Sequence, residues 1–403
     1  MNHKRKLNLK KQLACIYTAD LFSGLRITDA VWVALLAARG FSLWEIGLAE
    51  SVFHVVSLLC EVPSGMAADL LGRKKTLVSG GVCMVLQSLL MAFASDLFTI
   101  CLAMGLNALA MTMFSGTFTA LVYDSLKTEG REDEYIQVSA NSSQIAMLAN
   151  AIGSLASLLK RFLGFAGFYL LSAAFEGVST AALALMEEPI VTKAQASRGR
   201  QTLRALPGQF TKLARNSLSI LRTTPLAAKL IVSSAVVSVP SYLTKMFLQQ
   251  RLIELGWPTE LLFLPLLLGG AACVLGAEVG RRVRFRSMRR FYSVCALLCG
   301  VGTLLVGLAP AWGGLFGMML VQGALEVYLL HERQKLNDAI PSDQRTTLIS
   351  VDSMAYSLLM IPASPLVGAL GDAFGQAGAG LAALGAAILA SGLAAGLFAS
   401  NKP

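Results

Sequence analysis

Twelve apolar runs of roughly 20 residues, separated by short polar segments, limit what this sequence can fold into more than any other feature. The runs cover residues 12–36, 44–68, 76–95, 98–126, 136–158, 163–186, 226–247, 260–280, 290–309, 313–333, 347–369 and 376–398. About 20 apolar residues in a helix span the hydrocarbon core of a bilayer, where every backbone polar group needs an internal partner. The pattern therefore predicts an all-α membrane protein with twelve transmembrane helices.

The composition agrees with this prediction and argues against the soluble classes of protein. Hydrophobic side chains make up 55% of the 403 residues and charged side chains only 14%, whereas soluble domains carry about 25% charge. The net charge of +10 would suggest nucleic acid in a soluble protein, but here the charges lie between the apolar runs. We therefore expect a lipid bilayer as the surrounding partner and no nucleic acid.

The only long polar stretch divides the runs into six plus six. This predicts an N-terminal six-helix bundle over residues 1–186, a basic connector over 187–225 and a C-terminal six-helix bundle over 226–403. With the N-terminus inside, 28 of the 34 Lys and Arg residues fall on the cytoplasmic side, as the positive-inside rule requires. We expect a multi-pass protein of the cell inner (plasma) membrane with both termini cytoplasmic. Two such pseudo-repeat halves are typical of secondary transporters.

Residues 61–75 contain a motif between the second and third runs. Gly65, Asp69, Gly72, Arg73 and Lys74 stand at the positions of the cytoplasmic signature G-x-x-x-D-R-x-G-R-R/K. On these residues, and on the six-plus-six layout, the chain resembles the major facilitator superfamily. The resemblance implies the major facilitator fold and transport by alternating access.

The motif is interpreted physically as a gating latch. Gly72 permits a tight turn, and Gly65 allows a neighbouring helix to approach closely. Asp69 can accept hydrogen bonds from Arg73 or from a helix N-terminus opposite, which would hold one conformational state. The alternative is that the basic residues, including Lys74, only fix the topology.

A narrower resemblance concerns the string that begins at Glu61 and Pro63 and continues to Asp69, Arg73 and Lys74. It is similar to a pattern in the Gram-positive branch of tetracycline efflux permeases, and it implies efflux of a drug and antibiotic resistance. Two features depart from drug antiporters: the fourth run has no arginine, and the fifth lacks their Gly-Pro signature.

Three ionisable residues of the second run form one stripe. At about 100° per residue, Glu50, His54 and Glu61 lie within about 40° of one another on a helix. Ionisable residues inside a membrane are costly and mark ion or substrate paths, and histidine ordinarily changes charge near neutral pH. The stripe predicts a proton-coupling path. The alternatives are that Glu50 sits at the membrane edge and that His54 is a satisfied buried histidine.

Charged residues in the first and fourth runs are candidates for a substrate cavity. Arg26 and Asp29 are three residues apart and can pair on one helix face, while Asp20 lies about 120° away from Arg26. This pair could bind a polar substrate or be a neutralised structural pair. Asp124 closes the fourth run, and a structural role at the water boundary is its alternative.

In the second half, Glu326 lies in the interior of the tenth run and is the proton-coupling candidate there. His331 and Glu332 are near enough to the inner end to be solvated. Lys245 and Asp352 are further charged residues within the second-half runs.

These features favour a proton-coupled antiporter that exports an amphipathic drug such as tetracycline. An uptake symporter for a small metabolite is the alternative. No G-x-x-x-x-G-K-S/T motif occurs, so the energy source is expected to be a gradient. An enzyme embedded in the membrane is disfavoured, because His3, His54 and His331 are remote in sequence. We expect a small-molecule substrate and protons as partners, no cofactor, no metal and a monomeric protein.

Overall fold

The computed structural model describes residues 7–189, 224–339 and 345–400, and within these ranges the protein is built from α-helices joined by short turns. The helices are α1 (Leu9–Gly24), α2 (Trp32–Ala38), α3 (Leu43–Leu71), α4 (Arg73–Phe93), α5 (Leu97–Phe114), α6 (Thr117–Thr128), α7 (Tyr135–Ser154), α8 (Lys160–Leu185), α9 (Pro225–Glu254), α10 (Phe263–Arg282), α11 (Met288–Leu308), α12 (Ala311–Asp338), α13 (Arg345–Ala373) and α14 (Ala377–Ser400). Nearly all of the predicted connector, 187–225, lies outside the described residues.

Eleven helical segments of the described chain are long and apolar enough to cross a membrane, so the predicted count of twelve is not confirmed. The difference lies in the first predicted run, where α1 ends after 16 residues and the seven-residue α2 follows. Between them, polar residues including Arg26 and Asp29 interrupt the apolar sequence, and the backbone forms tight turns. The amide of Arg26 donates to the carbonyl of Gly24 at 2.7 Å, and that of Asp29 donates to the carbonyl of Arg26 at 3.2 Å.

The other predicted runs coincide with helices to within a few residues, except at two places. The fourth run is divided into α5 and α6 at Gly116, whose φ of +68° favours glycine. The seventh run extends further than predicted, because α9 continues to Glu254. The second run remains one helix, α3, although it contains Pro63.

The chain forms two compact units. Unit 1 comprises Met1–Asp29 with Val56–Lys212, and unit 2 comprises Ala30–Val55 with Leu213–Pro403. Helix α3 therefore contributes residues 43–55 to unit 2 and its remaining residues to unit 1. The predicted domain boundaries at residues 186 and 226 stay a prediction.

Each unit has its own apolar core. In unit 1, Ile16, Leu77, Leu121 and Leu183 belong to one buried cluster, which joins α1, α4, α6 and α8. Unit 2 relies on small residues as well: a methyl group added to Gly307 of α11 would lie 2.5 Å from the carbonyl oxygen of Gly378 in α14. Such small residues let helix backbones approach closely, which is how helices associate in lipid.

Candidate functional site

The most deeply buried acid–base pair of unit 2 is Glu50 with His54, one turn apart on α3. Their exposed fractions are 1% and 4%, and Nε2 of His54 lies 3.3 Å from Oε1 of Glu50. Among the residues that the structure describes, neither this Nε2 nor Oε2 of Glu50 has a partner with hydrogen-bond geometry. The other ring nitrogen, Nδ1, lies 3.3 Å from Oγ of Ser357 on α13. The pair is thus close enough to exchange a proton.

Aromatic rings surround this pair. The His54 ring makes edge contacts with Phe53, Tyr356 and Tyr242, at centroid distances of 5.3, 5.4 and 6.5 Å. An uncompensated charge in such a site is costly. An acid and a base that hold one proton between them carry no net charge, so adding a second proton leaves a buried positive charge.

The start of α3 is anchored by α13. One carboxylate oxygen of Asp372 accepts from the amide of Leu43 at 3.0 Å, and the other accepts from the amide of Trp44 at 2.8 Å. These amides belong to the first turn of α3, where they have no intrahelical partner and where a negative charge is favoured by the helix dipole. Asp372 therefore caps the N-terminus of α3, although it lies 329 residues from Leu43 in the sequence.

Further along the same face, α3 and α13 touch backbone to backbone. The hydroxyl of Ser51 donates to the carbonyl of Ile361 at 2.6 Å, and that of Ser364 donates to the carbonyl of Gly47 at 2.9 Å. A methyl group added to Gly47 would lie 2.5 Å from the carbonyl oxygen of Ser364. Only glycine fits at position 47 at this separation of the two helices.

The signature motif lies in unit 1, where Gly72 connects α3 to α4. Its φ of +107° is in a region that glycine tolerates and other residues do not. The carboxylate of Glu188 accepts from the amides of Arg73 and Lys74, at 2.9 and 2.7 Å. A methyl group on Gly72 would lie 3.2 Å from the carboxyl carbon of Glu188. The glycine thus allows an acidic residue to cap α4.

The arginine of the motif is held by Asp124 of α6. Nη1 of Arg73 forms an ion pair with Oδ2 of Asp124 and also donates to the carbonyl of Ala120 at 2.6 Å. The expected partner, Asp69, has a side chain outside the described part. The carboxylate of Asp124 is thus engaged by the motif arginine, and its predicted place in a substrate cavity stays a prediction.

Gly65 does not show the expected close approach of a neighbouring helix. It is exposed, and a methyl group added there would meet no described atom within 4 Å. Its role in gating stays a prediction.

The predicted cavity residues of the first run lie in unit 1. Asp20 is buried on α1 and accepts a hydrogen bond from the hydroxyl of Ser142. Arg26 and Asp29 are half-exposed and form an ion pair with Nη1 and Oδ2 3.8 Å apart. They belong to the turns after α1 rather than to one helix face, and their charges act on Glu176 of α8. A substrate role for these residues stays a prediction.

The two remaining coupling candidates belong to different units. Glu61 is half-buried on the unit 1 part of α3. Glu326 is half-buried on α12 of unit 2, where its Cβ lies against Gly276. The charges of Glu326 and Lys245 both act on Cys273 of α10, and Nζ of Lys245 lies 6.0 Å from the centroid of the Tyr242 ring. Lys245 therefore lies beside one of the aromatic rings that contact His54.

Sequence reasoning missed Glu188, Asp372 and Ser357. Both acids follow the last apolar residues of a run, a position from which a carboxylate can reach a helix N-terminus. That position is a weak signal, because the bonded amides lie 115 and 329 residues away in the sequence.

Within the described ranges, no group of three or more His, Cys, Asp or Glu side chains could hold a metal ion.

Comparison with known proteins places this arrangement in a family. The family model described as Major Facilitator Superfamily matches residues 21–330. The uncharacterized MFS-type transporter YxaM of Bacillus subtilis (strain 168) is 26% identical over 147 residues, which cover 36% of this chain and 36% of that protein. The match therefore spans about a third of the length of that relative.

Solved structures share the fold over nearly the whole chain. The crystal structure of nucleoside transporter NupG has a TM-score of 0.72 and 13% identity, covering 97% of this chain and 98% of that one. The crystal structure of peptide transporter POT in complex with sulfate has a TM-score of 0.75 and 12% identity, covering 97% and 94%. At this identity the likeness shows the fold alone.

Proposed function

Because the chain belongs to the Major Facilitator Superfamily, we propose that it is a proton-coupled transporter that works by alternating access and exports an amphipathic small molecule. Its family makes it a secondary transporter of the multi-pass membrane type and not an enzyme. The observation that carries proton coupling is the buried Glu50–His54 pair, 3.3 Å apart within the contact between α3 and α13.

The coupling step follows from the charge of this pair. With one proton shared between them, Glu50 and His54 are neutral overall, and Ser357 and the aromatic rings pack around them. A second proton leaves a positive charge for which the described residues provide no buried counter-ion, and this destabilises the contact. The start of α3 is then released from α13, and the site opens. Loss of the proton restores the contact.

The proposed membrane topology has twelve crossings, with α1 and α2 together forming the first. Both termini are cytoplasmic in the plasma membrane, supported by the concentration of 28 of 34 Lys and Arg residues on one side. In this orientation Leu43 lies at the outer end of α3 and Gly72 at the cytoplasmic end. The working form is a monomer.

Export of a drug is supported by the string from Glu61 to Lys74 and its similarity to Gram-positive tetracycline permeases. Tetracycline is therefore the first compound to test. In this proposal Glu61 and Glu326 also carry protons, while Asp20, Arg26 and Asp29 contact the cargo.

The test is tetracycline accumulation in cells that lack other tetracycline pumps. Cells that express the wild-type protein are expected to accumulate less tetracycline than empty-vector cells. Accumulation should rise again when a protonophore is added, and also in cells that express Glu50→Gln, His54→Asn or Glu61→Gln. Glu278→Gln is the matched control, because that carboxylate is paired with Arg281 and Arg282 at an exposed site. Equal accumulation in wild-type and empty-vector cells would reject tetracycline as the substrate. Export that persists in His54→Asn with the same protonophore sensitivity would reject coupling through the pair.

A further inference from the structure

A second buried acidic group lies in unit 2, on helices other than α3. It consists of Glu332 of α12 and Asp352 of α13. Glu332 is 1% exposed, although its sequence position suggested solvation. Within the described part of the chain, Oε1 of Glu332 and Oδ1 of Asp352 are buried without a hydrogen-bond partner. Two unpartnered carboxylate oxygens in the interior need a proton or a cation.

Helix α9 brings the two carboxylates to the same region. Its adjacent serines have different neighbours: Oγ of Ser233 lies 2.5 Å from the hydroxyl oxygen of Tyr328 on α12, and Ser234 lies near the carboxylate of Asp352. Glu332 follows Tyr328 by about one helical turn. The charge of Asp352 acts on Glu332.

Beside this group, apolar side chains exclude water. Leu230 and Ile231 of α9, Leu336 of α12 and Val351 of α13 form one buried cluster. Each of these apolar residues lies within four positions of Ser233 or Ser234, Glu332 or Asp352 in the sequence. The apolar cluster therefore lies on the same three helices as the two carboxylates.

The surrounding charges do not neutralise two anions. Of the described residues, the charged or titratable groups that act on the carboxylates are Arg333 and Tyr328. The side chain of Arg333 is exposed to solvent, and Tyr328 is fully buried and bonded to Ser233. One solvated cation cannot compensate two buried carboxylates, whereas one proton between them removes one charge and supplies a hydrogen-bond donor.

We propose that Glu332 and Asp352 hold one proton between them, forming a proton-binding site of the second half that is separate from Glu50 and His54. The proton site does not depend on transport. Its use in coupling rests on the proposed function.

Infrared spectroscopy of the purified full-length protein tests the site without a substrate. At pH 7 the wild type is expected to show a carboxylic acid C=O band that is absent from both Glu332→Gln and Asp352→Asn. In each variant the remaining carboxylate has no neighbouring anion with which to share a proton. The exposed carboxylate variant Glu278→Gln is the control and should keep the band.

Three outcomes would overturn the proposal. An unchanged band in both variants would show that the pair holds no proton. Loss in Glu332→Gln alone would show that Glu332 is protonated by burial and shares nothing with Asp352. Loss of the wild-type band when potassium is replaced by sodium at constant pH would show that a cation occupies the site. Retention of the band in either variant rejects the shared proton, so failure of one variant to fold leaves the other as a test.

Discussion

The two ends of helix α3 differ in where their contacting residues come from in the sequence. At the Gly72 end, Glu188 and Asp124 come from within 115 residues of the motif, and all belong to unit 1. At the Leu43 end, Asp372 and Ser357 come from more than 300 residues away, and all belong to unit 2. The first half of the sequence therefore closes its own signature turn, but it needs the second half to hold the start of α3. In the proposed function, the contact at the Leu43 end is the one that breaks and re-forms.

The largest effect on stability is expected at the Gly72 end from Arg73→Ala. Asp124 would lose the guanidinium of Arg73, and breaking a largely buried ion pair from one side typically costs about 3–5 kcal/mol of unfolding free energy. Thermal unfolding of the purified protein measures this. The double variant with Asp124→Ala should recover part of the loss, and wild-type stability in Arg73→Ala would contradict the role of the ion pair.

The strongest perturbation of the Leu43 end is expected from Gly47→Ala. The added methyl would lie 2.5 Å from the carbonyl oxygen of Ser364, and such overpacking costs roughly 3 kcal/mol. Separation of α3 from α13 is measured by maleimide labelling of Ser51→Cys, a position that is 5% exposed, after replacement of the seven native cysteines. Every protein compared carries this change, so the loss of the Ser51–Ile361 hydrogen bond is common to all of them.

The matched control for Gly47→Ala is Gly65→Ala on the same helix, where the methyl meets open space. Labelling should rise in the first variant and not in the second. Equal labelling in both would show that the α3–α13 contact is not as tight as described.

Gly72→Ala is expected to cost about 2 kcal/mol, because alanine at a φ of +107° is strained and its methyl would approach Glu188. Thermal unfolding measures this loss. Labelling at Ser51→Cys should stay unchanged, since the strain lies in unit 1. An increase in labelling would show that the two ends of α3 are not independent.

The smallest effects are expected from neutralising the capping acids. Glu188→Gln and Asp372→Asn each remove a negative charge from a helix N-terminus. Such a charge typically contributes about 0.3–1 kcal/mol to the free energy of unfolding. Both should lower thermal stability slightly, but only Asp372→Asn should also raise labelling of Ser51→Cys. Equal labelling in the two variants would contradict the prediction that only the Leu43 end of α3 depends on its contact with α13.

Much of the fold could be predicted from the sequence, because the length and composition of the apolar runs determine where helices cross a bilayer. The boundaries of α4 and α11 agree with the predicted runs to within about three residues. The first run was less predictable: hydropathy averages over a window, whereas the polar residues around Arg26 end the helix locally and let the chain turn.

The site was only partly predictable. Helical periodicity put Glu50 and His54 on one stripe, and the motif identified Gly72 and Arg73. Sequence alone could not pair Arg73 with Asp124 or bring Asp372 to the start of α3, since these contacts depend on how separate helices pack.

The central claim, that protonation of the Glu50–His54 pair releases the start of α3, is tested most directly by labelling Ser51→Cys over a series of falling pH values. Rates are normalised to the denatured protein at each pH. The account predicts that labelling rises as the pH falls in the otherwise wild-type protein and becomes independent of pH in His54→Asn. The same pH dependence in both proteins, or none in either, would contradict it.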